Sequence, residues 1–194
     1  MSGSSTARQN MVDCQVRPSD VTDIRIIDAM LAVPREAFVP ENKRALAYLD
    51  LDLDVSAGGS AGRFLIKPAV LAKMLQAAEI KQTDHVLVVG CSTGYAAAVI
   101  GKFAPQVHGA AGADGDAAKA PYDVIVLNGA TEIVPEKLYG QLRDGGRLVG
   151  VFAMSQPPRA TMVTRSHGDF GSRALFDAAA PVLPGMERVP AFVF

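Results

Sequence analysis

The sequence predicts an α/β fold, a mostly parallel sheet with helices on both faces, and three observations predict it. HVLVVG, residues 85–90, is short, rich in valine and apolar on both faces, the pattern of a central parallel strand covered on both sides. It ends at a glycine, and YAAAVIGKFA, residues 95–104, then reads as a helix. YDVIVLNGA (122–130) and GGRLVGVFA (145–153) repeat the buried-strand pattern around a helical stretch, and such alternation implies right-handed crossovers.

The chain has 194 residues, suited to a single domain with a sizeable core. With 49% apolar residues, 20% charged and a net charge of -1, it is neither disordered in type nor a bulk electrostatic binder, so nucleic acid is not an expected partner. Apolar runs fall well short of the roughly 18 residues of a membrane span, and the start, MSGSSTARQN, lacks the apolar core of a signal peptide. No membrane partner and a cytoplasmic location are expected. Cys14 and Cys91 share no CxxC or Cys/His spacing, so two reduced thiols and no metal site are expected. His85, His108 and His167 have neither metal spacing nor a nucleophile nearby in sequence and read as structural.

In chain order, residues 6–17 read as a helix with Met11, Val12, Cys14 and Val16 as its apolar positions. Pro18 breaks it, and Asp20 or Thr22 is placed to cap the next. That helix, IRIIDAMLAV, sets Ile24, Ile27, Met30 and Leu31 on one face and stops before Pro34. Residues 34–62 are irregular, a loop with short extended pieces and flexibility near Gly58 to Gly62. After Pro68, AVLAKMLQAA puts Val70, Leu71, Met74 and Leu75 on one helical face. VPEKLYGQL is a further helix with Pro135 in its first turn. TMVTRSH and the Pro-punctuated pieces APVLP and VPAFVF are expected as antiparallel edge strands.

The break in VLVVGCSTGYAAA lies where ligands of open α/β sheets bind, at the carboxyl edge of a strand opening into a helix. Gly90-x-Ser92-x-Gly94 is one glycine short of G-x-G-x-G and is not the dinucleotide fingerprint, so it admits two readings, a cofactor cradle or a tight turn. Cys91 stands in this turn, where a helix N-terminus lowers a thiol pKa and favours reactivity, against the plainer reading of packing. Asn128-Gly129 likewise reads either as part of such a site or as an ordinary strand-end turn.

Several separate stretches resemble the protein-L-isoaspartate O-methyltransferase family. Met11-Val12 with Gln15, Asp23, Ala29-Met30, Val33-Pro34-Arg35-Glu36, Phe38-Val39-Pro40 and Ala47-Tyr48-x-Asp50 are similar to its helical leader. VLVVGCSTGYAAAV resembles its cofactor motif, and APYDVIVLNGATEIVPEKLYGQLRDGGRLV its Ala-Pro-Tyr-Asp strand and closing Gly-Gly-Arg-Leu segment. The similarity spans roughly residues 7 to 152. It implies a Rossmann-like methyltransferase fold, S-adenosylmethionine as cofactor, and a carboxylate of a damaged protein or peptide as methyl acceptor. Carried over, Gly90, Cys91, Ser92 and Gly94 lie against the methionine and ribose of the cofactor, with Asn128 and Gly129 near it. A single domain over 1–194 is then expected, with 1–80 as helical leader and acceptor-side loop, 81–152 as cofactor-binding core and 153–194 as C-terminal strands.

Three departures qualify that expectation. Where the family writes Gln-Thr-Ile-Ser-Gln-Pro beside the acceptor, this chain has Arg63-Phe64-Leu65-Ile66-Lys67-Pro68, so Phe64 and Ile66 replace two hydroxyls with groups that only pack. Arg63 and Lys67 either pair with an acidic acceptor in their stead or are solvated charges. Val88 stands where the family usually has Glu. Finally, residues 90–123 are too few for a second strand, a second helix and a third strand, so the fold is expected to be shortened between its first and fourth strands. Val107-His108-Gly109 is expected as the stub of the third, with the second strand and helix missing. Asp114 lies at the count for a ribose-binding acid, but it and Asp116 read as loop residues. These departures open an alternative, a catalytically impaired relative that serves as a binding or regulatory module.

Overall fold

The computed structural model of the chain describes residues 3–56, 62–91 and 93–189. The expected flexibility near Gly58 to Gly62 falls, Gly62 apart, outside the described residues, as do Ser92 and most of VPAFVF.

Helix α1 (Gly3–Met11) widens into a π-type turn over Val12–Val16, so the expected helical leader is present but starts earlier. Helix α2 (Ile24–Ala32) is capped by Asp23, whose carboxylate accepts from Arg25 N at 2.9 Å, and not by Asp20 or Thr22; Asp20 takes a left-handed φ of 63° instead. Its buried face is Ile26, Ile27, Ala29 and Met30, while Ile24 is 58% exposed. Ile27 and Met30 are buried as expected and Leu31 packs partly buried against the core, so only Ile24, next to the cap, departs from the expected face. Helix α3 (Pro68–Ala77) sends Gln76 to the start of α2, accepting from Thr22 N and Asp23 N. Between them, β1 (Leu53–Asp54) and β2 (Phe64–Leu65) form a two-stranded antiparallel sheet.

The main sheet has six strands: β3 (Val86–Val89), β4 (Val107–Ala110), β5 (Tyr122–Thr131), β6 (Leu142–Phe152), β7 (Arg159–Ser166) and β8 (Asp169–Asp177). Their order is β4-β3-β5-β6-β7-β8, parallel through β6 and antiparallel thereafter. Helix α4 (Tyr95–Ile100) joins β3 to β4 and the short α5 (Glu136–Tyr139) joins β5 to β6. The longer helix expected from VPEKLYGQL is four residues, because Gln141 and Leu142 are already turning into β6.

Two expectations for the shortened middle and the tail are corrected. Val107–Ala110 lies directly beside β3 in parallel register, Val86 opposite Val107, so it occupies the second strand's place. What is shortened is the return: a single turn at Ala117–Lys119 leads from β4 to β5 on the other side of β3. APVLP is not an antiparallel edge strand but makes one parallel bridge, Val182 to Ala130. TMVTRSH does lie in an antiparallel strand, β7, which pairs with β6 on one side and on the other with β8 through a two-residue hairpin at His167 and Gly168, φ 52° and 92°, suited to the sheet's twist.

Alternation divides the core between two faces of the sheet. Val86, Val88, Val124, Val126, Val149 and Val151 face the larger cluster, which includes residues of α2, α3 and α4 and the leader's Met11, Val12 and Val16. Leu87, Val89, Ile125, Leu127 and Leu148 face a smaller one, completed by Leu138 of α5 and by Leu183 and Met186 of the tail. On that face the tail takes a place that a crossover helix ordinarily fills.

Candidate functional site

At the carboxyl edge of the sheet, β3 ends in Gly90 with φ of 72°, and Gly94 at 90° opens α4. Both are left-handed conformations that glycine adopts freely. Cys91 N–H donates to Ala110 O at 3.0 Å, tying the turn to β4. Cys91 Sγ lies so close to Gly109 that a Cβ there would come within 2.7 Å of it. Burial pushes its thiol pKa up, with the backbone N–H groups of Gly94 and Ala97 opposing. Desolvation outweighs the backbone donors at this thiol, which favours the packing reading of Cys91 over the reactive one.

Asn128 and Gly129 lie inside β5 and are not a strand-end turn. The register of β5 against β6 shifts between Val126 and Ala130, which turns the Asn128 side chain toward the glycine turn. Its Nδ2 donates to Gly90 O at 3.2 Å and, more weakly, to Phe64 O at 3.5 Å. One amide thus spans the turn after β3 and the segment that begins at Arg63, and Asn128 is 5% exposed. Gly62, Arg63, Phe64, Gly90, Ala111, Asn128 and the tail Pro181–Pro184 enclose a cavity of about 150 Å³.

The segment behind Phe64 is braced from the leader by a residue sequence reasoning registered only as part of a motif. Arg35, 1% exposed, donates from Nε to Ala47 O at 2.8 Å and from Nη2 to Ile66 O at 2.9 Å. Its guanidinium lies 4.8 Å from the Tyr95 ring centroid, so a ring face takes the place of a carboxylate. Burial lowers the Arg35 pKa and raises that of Tyr95. A charged residue in a Val-Pro-Arg-Glu string gives no sequence sign of being buried; only the carbonyls it meets make burial affordable. Tyr48 OH donates to Glu36, and burial followed by that bond pushes the tyrosine up to about 12. Ile66 is buried beside Arg35, Phe64 lines the cavity, and Lys67 N–H donates to Asp52 at 2.9 Å. Among the described residues, neither Arg63 nor Lys67 forms a side-chain ion pair.

The opposite side of the turn is furnished differently. Beyond β4 the chain continues as Ala111-Gly112-Ala113, with no carboxylate at the strand's end. Asp114 receives Lys137 Nζ at 2.9 Å on each oxygen, both side chains being largely exposed. Among the described residues no group of three or more His, Cys, Asp or Glu is placed to hold a metal, and no helix is long and apolar enough to cross a membrane.

A sheet parallel at its centre, with a left-handed glycine turn at its carboxyl edge, a polar strand end beside it and a helical leader packed on one face, has the architecture of a Rossmann-like methyltransferase. The profile of the protein-L-isoaspartate(D-aspartate) O-methyltransferase family matches residues 6–109 and 103–170, and the chain belongs to that family. The two matched pieces overlap over residues 103–109, which lead into β4, just ahead of the shortened return. The protein-L-isoaspartate O-methyltransferase of Rhodopseudomonas palustris is 35% identical over 206 aligned residues, covering 91% of this chain and 93% of the relative. That of Koribacter versatilis is 34% identical, covering 77% and 78%. A solved protein-L-isoaspartate O-methyltransferase superposes with a TM-score of 0.77 at 21% identity, over 90% of this chain and 65% of that one. A putative Plasmodium falciparum member in complex with S-adenosyl-L-homocysteine gives 0.70 at 15%, over 94% and 99%.

The residues present fit the two ends of the family's cofactor unequally. Around the amino-acid end they offer a cavity, the paired glycines and the Thr93 hydroxyl, which is buried with no hydrogen-bond partner among the described residues. For the ribose end they offer no free carboxylate after β4. About 150 Å³ also falls below the roughly 300 Å³ at which pockets for drug-sized ligands begin.

Proposed function

We propose that this chain is an S-adenosylmethionine-dependent O-methyltransferase of the isoaspartate type, acting in the cytoplasm on a carboxylate of a damaged protein or peptide. The observation that carries the reading is Asn128, whose single amide ties Gly90 of the turn to Phe64 of the acceptor segment. Gly90, Cys91, Gly94, Asn128 and Gly129 would hold the methionine end, with Ser92 in the same turn. The cofactor supplies a methyl group on a cationic sulfur, open to direct displacement. The chain's part is orientation: Arg35 fixes the backbone at Ile66, Asn128 fixes the distance from that backbone to the turn, and Phe64 excludes water. With no hydroxyl at Phe64 or Ile66, an acidic acceptor would be received by Arg63 and Lys67, which are free of ion pairs to described residues.

The second reading, an impaired relative that binds without turning over, is favoured by the same Phe64 and Ile66 and by the missing ribose acid. Calorimetric titration of S-adenosylmethionine, followed by methyl transfer to an isoaspartyl peptide, separates the two. The enzyme reading expects micromolar binding, about -8 kcal/mol, and a gain in transfer when Phe64→Thr and Ile66→Ser are combined. Binding without transfer, unchanged by the double substitution, would select the binding module.

A further inference from the structure

We propose that the tail segment Pro181–Met186 is a strap whose Leu183 side chain stands in the cofactor cleft, so that Leu183 sets how much of the cofactor the cleft admits. This rests on the reading of Gly90 to Gly94 as the cofactor turn.

Three sets of contacts place the strap. Ala130 N–H donates to Pro181 O at 2.8 Å, Leu183 N–H to Ala130 O at 2.9 Å and Glu132 N–H to Met186 O at 2.9 Å. Because β3 pairs with β5 as far as Leu127 and Val182 pairs in parallel with Ala130, the strap continues the line of β3 beyond its glycine turn. That line crosses the carboxyl edge, where ligands of open α/β sheets lie. Leu183 then packs onto both glycines: a Cβ on Gly90 would stand 2.3 Å from Leu183 Cδ2, and one on Gly129 2.7 Å from the same atom. Two of the three glycines assigned to the cofactor, Gly90 and Gly129, are already required by Leu183, and the cavity of about 150 Å³ is what the strap leaves over.

The strap can part from the sheet without the sheet opening. It is held to β5 by three backbone bonds and to the core by Val182, Leu183 and Met186, with Gly185 at φ 85° between the last two, and Arg188 N–H fastens its far end to Glu132 at 2.8 Å. Such segments open at a small fraction of the cost of global unfolding. A ligand that binds only the open form has its apparent affinity reduced by the fraction of chains that are open.

The test is titration of S-adenosylhomocysteine into the full chain and its Leu183→Ala and Leu183→Phe variants. Trimming the plug is expected to tighten binding about tenfold, as for a state populated one time in ten, and enlarging it to weaken binding. Equal affinities across the three chains would overturn the strap and leave the cofactor turn standing; no binding by any of them would overturn both. Hydrogen exchange on the unsubstituted chain covers the case in which Leu183→Ala does not fold. The Ala130 and Leu183 amides are expected to lose protection at saturating S-adenosylhomocysteine, and retained or increased protection would overturn the proposal.

Discussion

Val88 and Val89 are neighbours in one strand, are both fully buried, and look into differently built halves of the molecule. Val88 faces the α2, α3 and α4 side, which the helical leader closes; Val89 faces the side that α5 and the tail cover between them. The first half carries the braced acceptor segment and the second carries the shortened crossover. What the difference teaches is that one face of this sheet is held by preformed helices and the other by a strap that also lies across the cleft. Stability and ligand entry therefore share residues only on the thin face.

The largest expected effect tests the thick face at its least expected residue. Arg35→Ala would leave the carbonyls of Ala47 and Ile66 without their donor and open a cavity against Tyr95, costing about 3–5 kcal/mol. Chemical denaturation would measure it. A loss below 1 kcal/mol would mean that the leader braces the acceptor segment by other means.

A sharper comparison comes from making the same cut on both faces. Val88→Ala is expected to cost about 2–3 kcal/mol and Val89→Ala about 1 kcal/mol less, because a cavity facing the proposed strap can be filled by its settling, whereas one between packed helices cannot. Equal losses would show the strap to be as rigid as the helices, and would weaken the case for its movement.

Much of this asymmetry was open to sequence reasoning. The valine-rich stretches at 86–89 and 122–130 marked the buried strands because a strand apolar on both faces has to be covered on both sides. The short middle was visible as a count of residues. The placement of Val107–Ala110 was not, since a four-residue strand of mixed polarity has too little periodicity to declare its neighbour, and pairing with β3 decided it. Strand β8 was missed because a His-Gly hairpin lacks the usual Asn or Asp signal. Of the candidate site, the glycines and Asn128 were named from the resemblance; the placing of Arg35 and Leu183 beside them was not legible, because burying an arginine depends on distant carbonyls and a leucine in a tail shows no sign of its seat.

A smaller effect separates the faces by pH. Tyr48 is held at about 12 by burial and by Glu36, so its neutral form is favoured in the folded chain. The stability this contributes is fully present below pH 10, the unfolded value, and is lost as pH rises through 12. Tyr48→Phe is expected to flatten stability between those limits, leaving the contributions of Tyr95, Tyr122 and Tyr139, which burial also raises. A slope unchanged by the substitution would place the alkaline sensitivity elsewhere, away from the leader.

The smallest effect falls on the side where the cofactor's ribose would lie. Asp114 and Lys137 form an exposed pair, and such pairs contribute little, so Asp114→Ala should change stability by no more than about 0.5 kcal/mol. Its use lies in the binding measurement made alongside. If Asp114 keeps Lys137 as its partner, S-adenosylhomocysteine affinity is unaffected by the substitution. A tenfold weakening would show that Asp114 leaves Lys137 to meet the ribose hydroxyls, and that the short loop after β4 replaces the missing strand-end acid. The thin face would then be incomplete only until ligand arrives, and the contrast between the two faces would belong to the ligand-free chain alone.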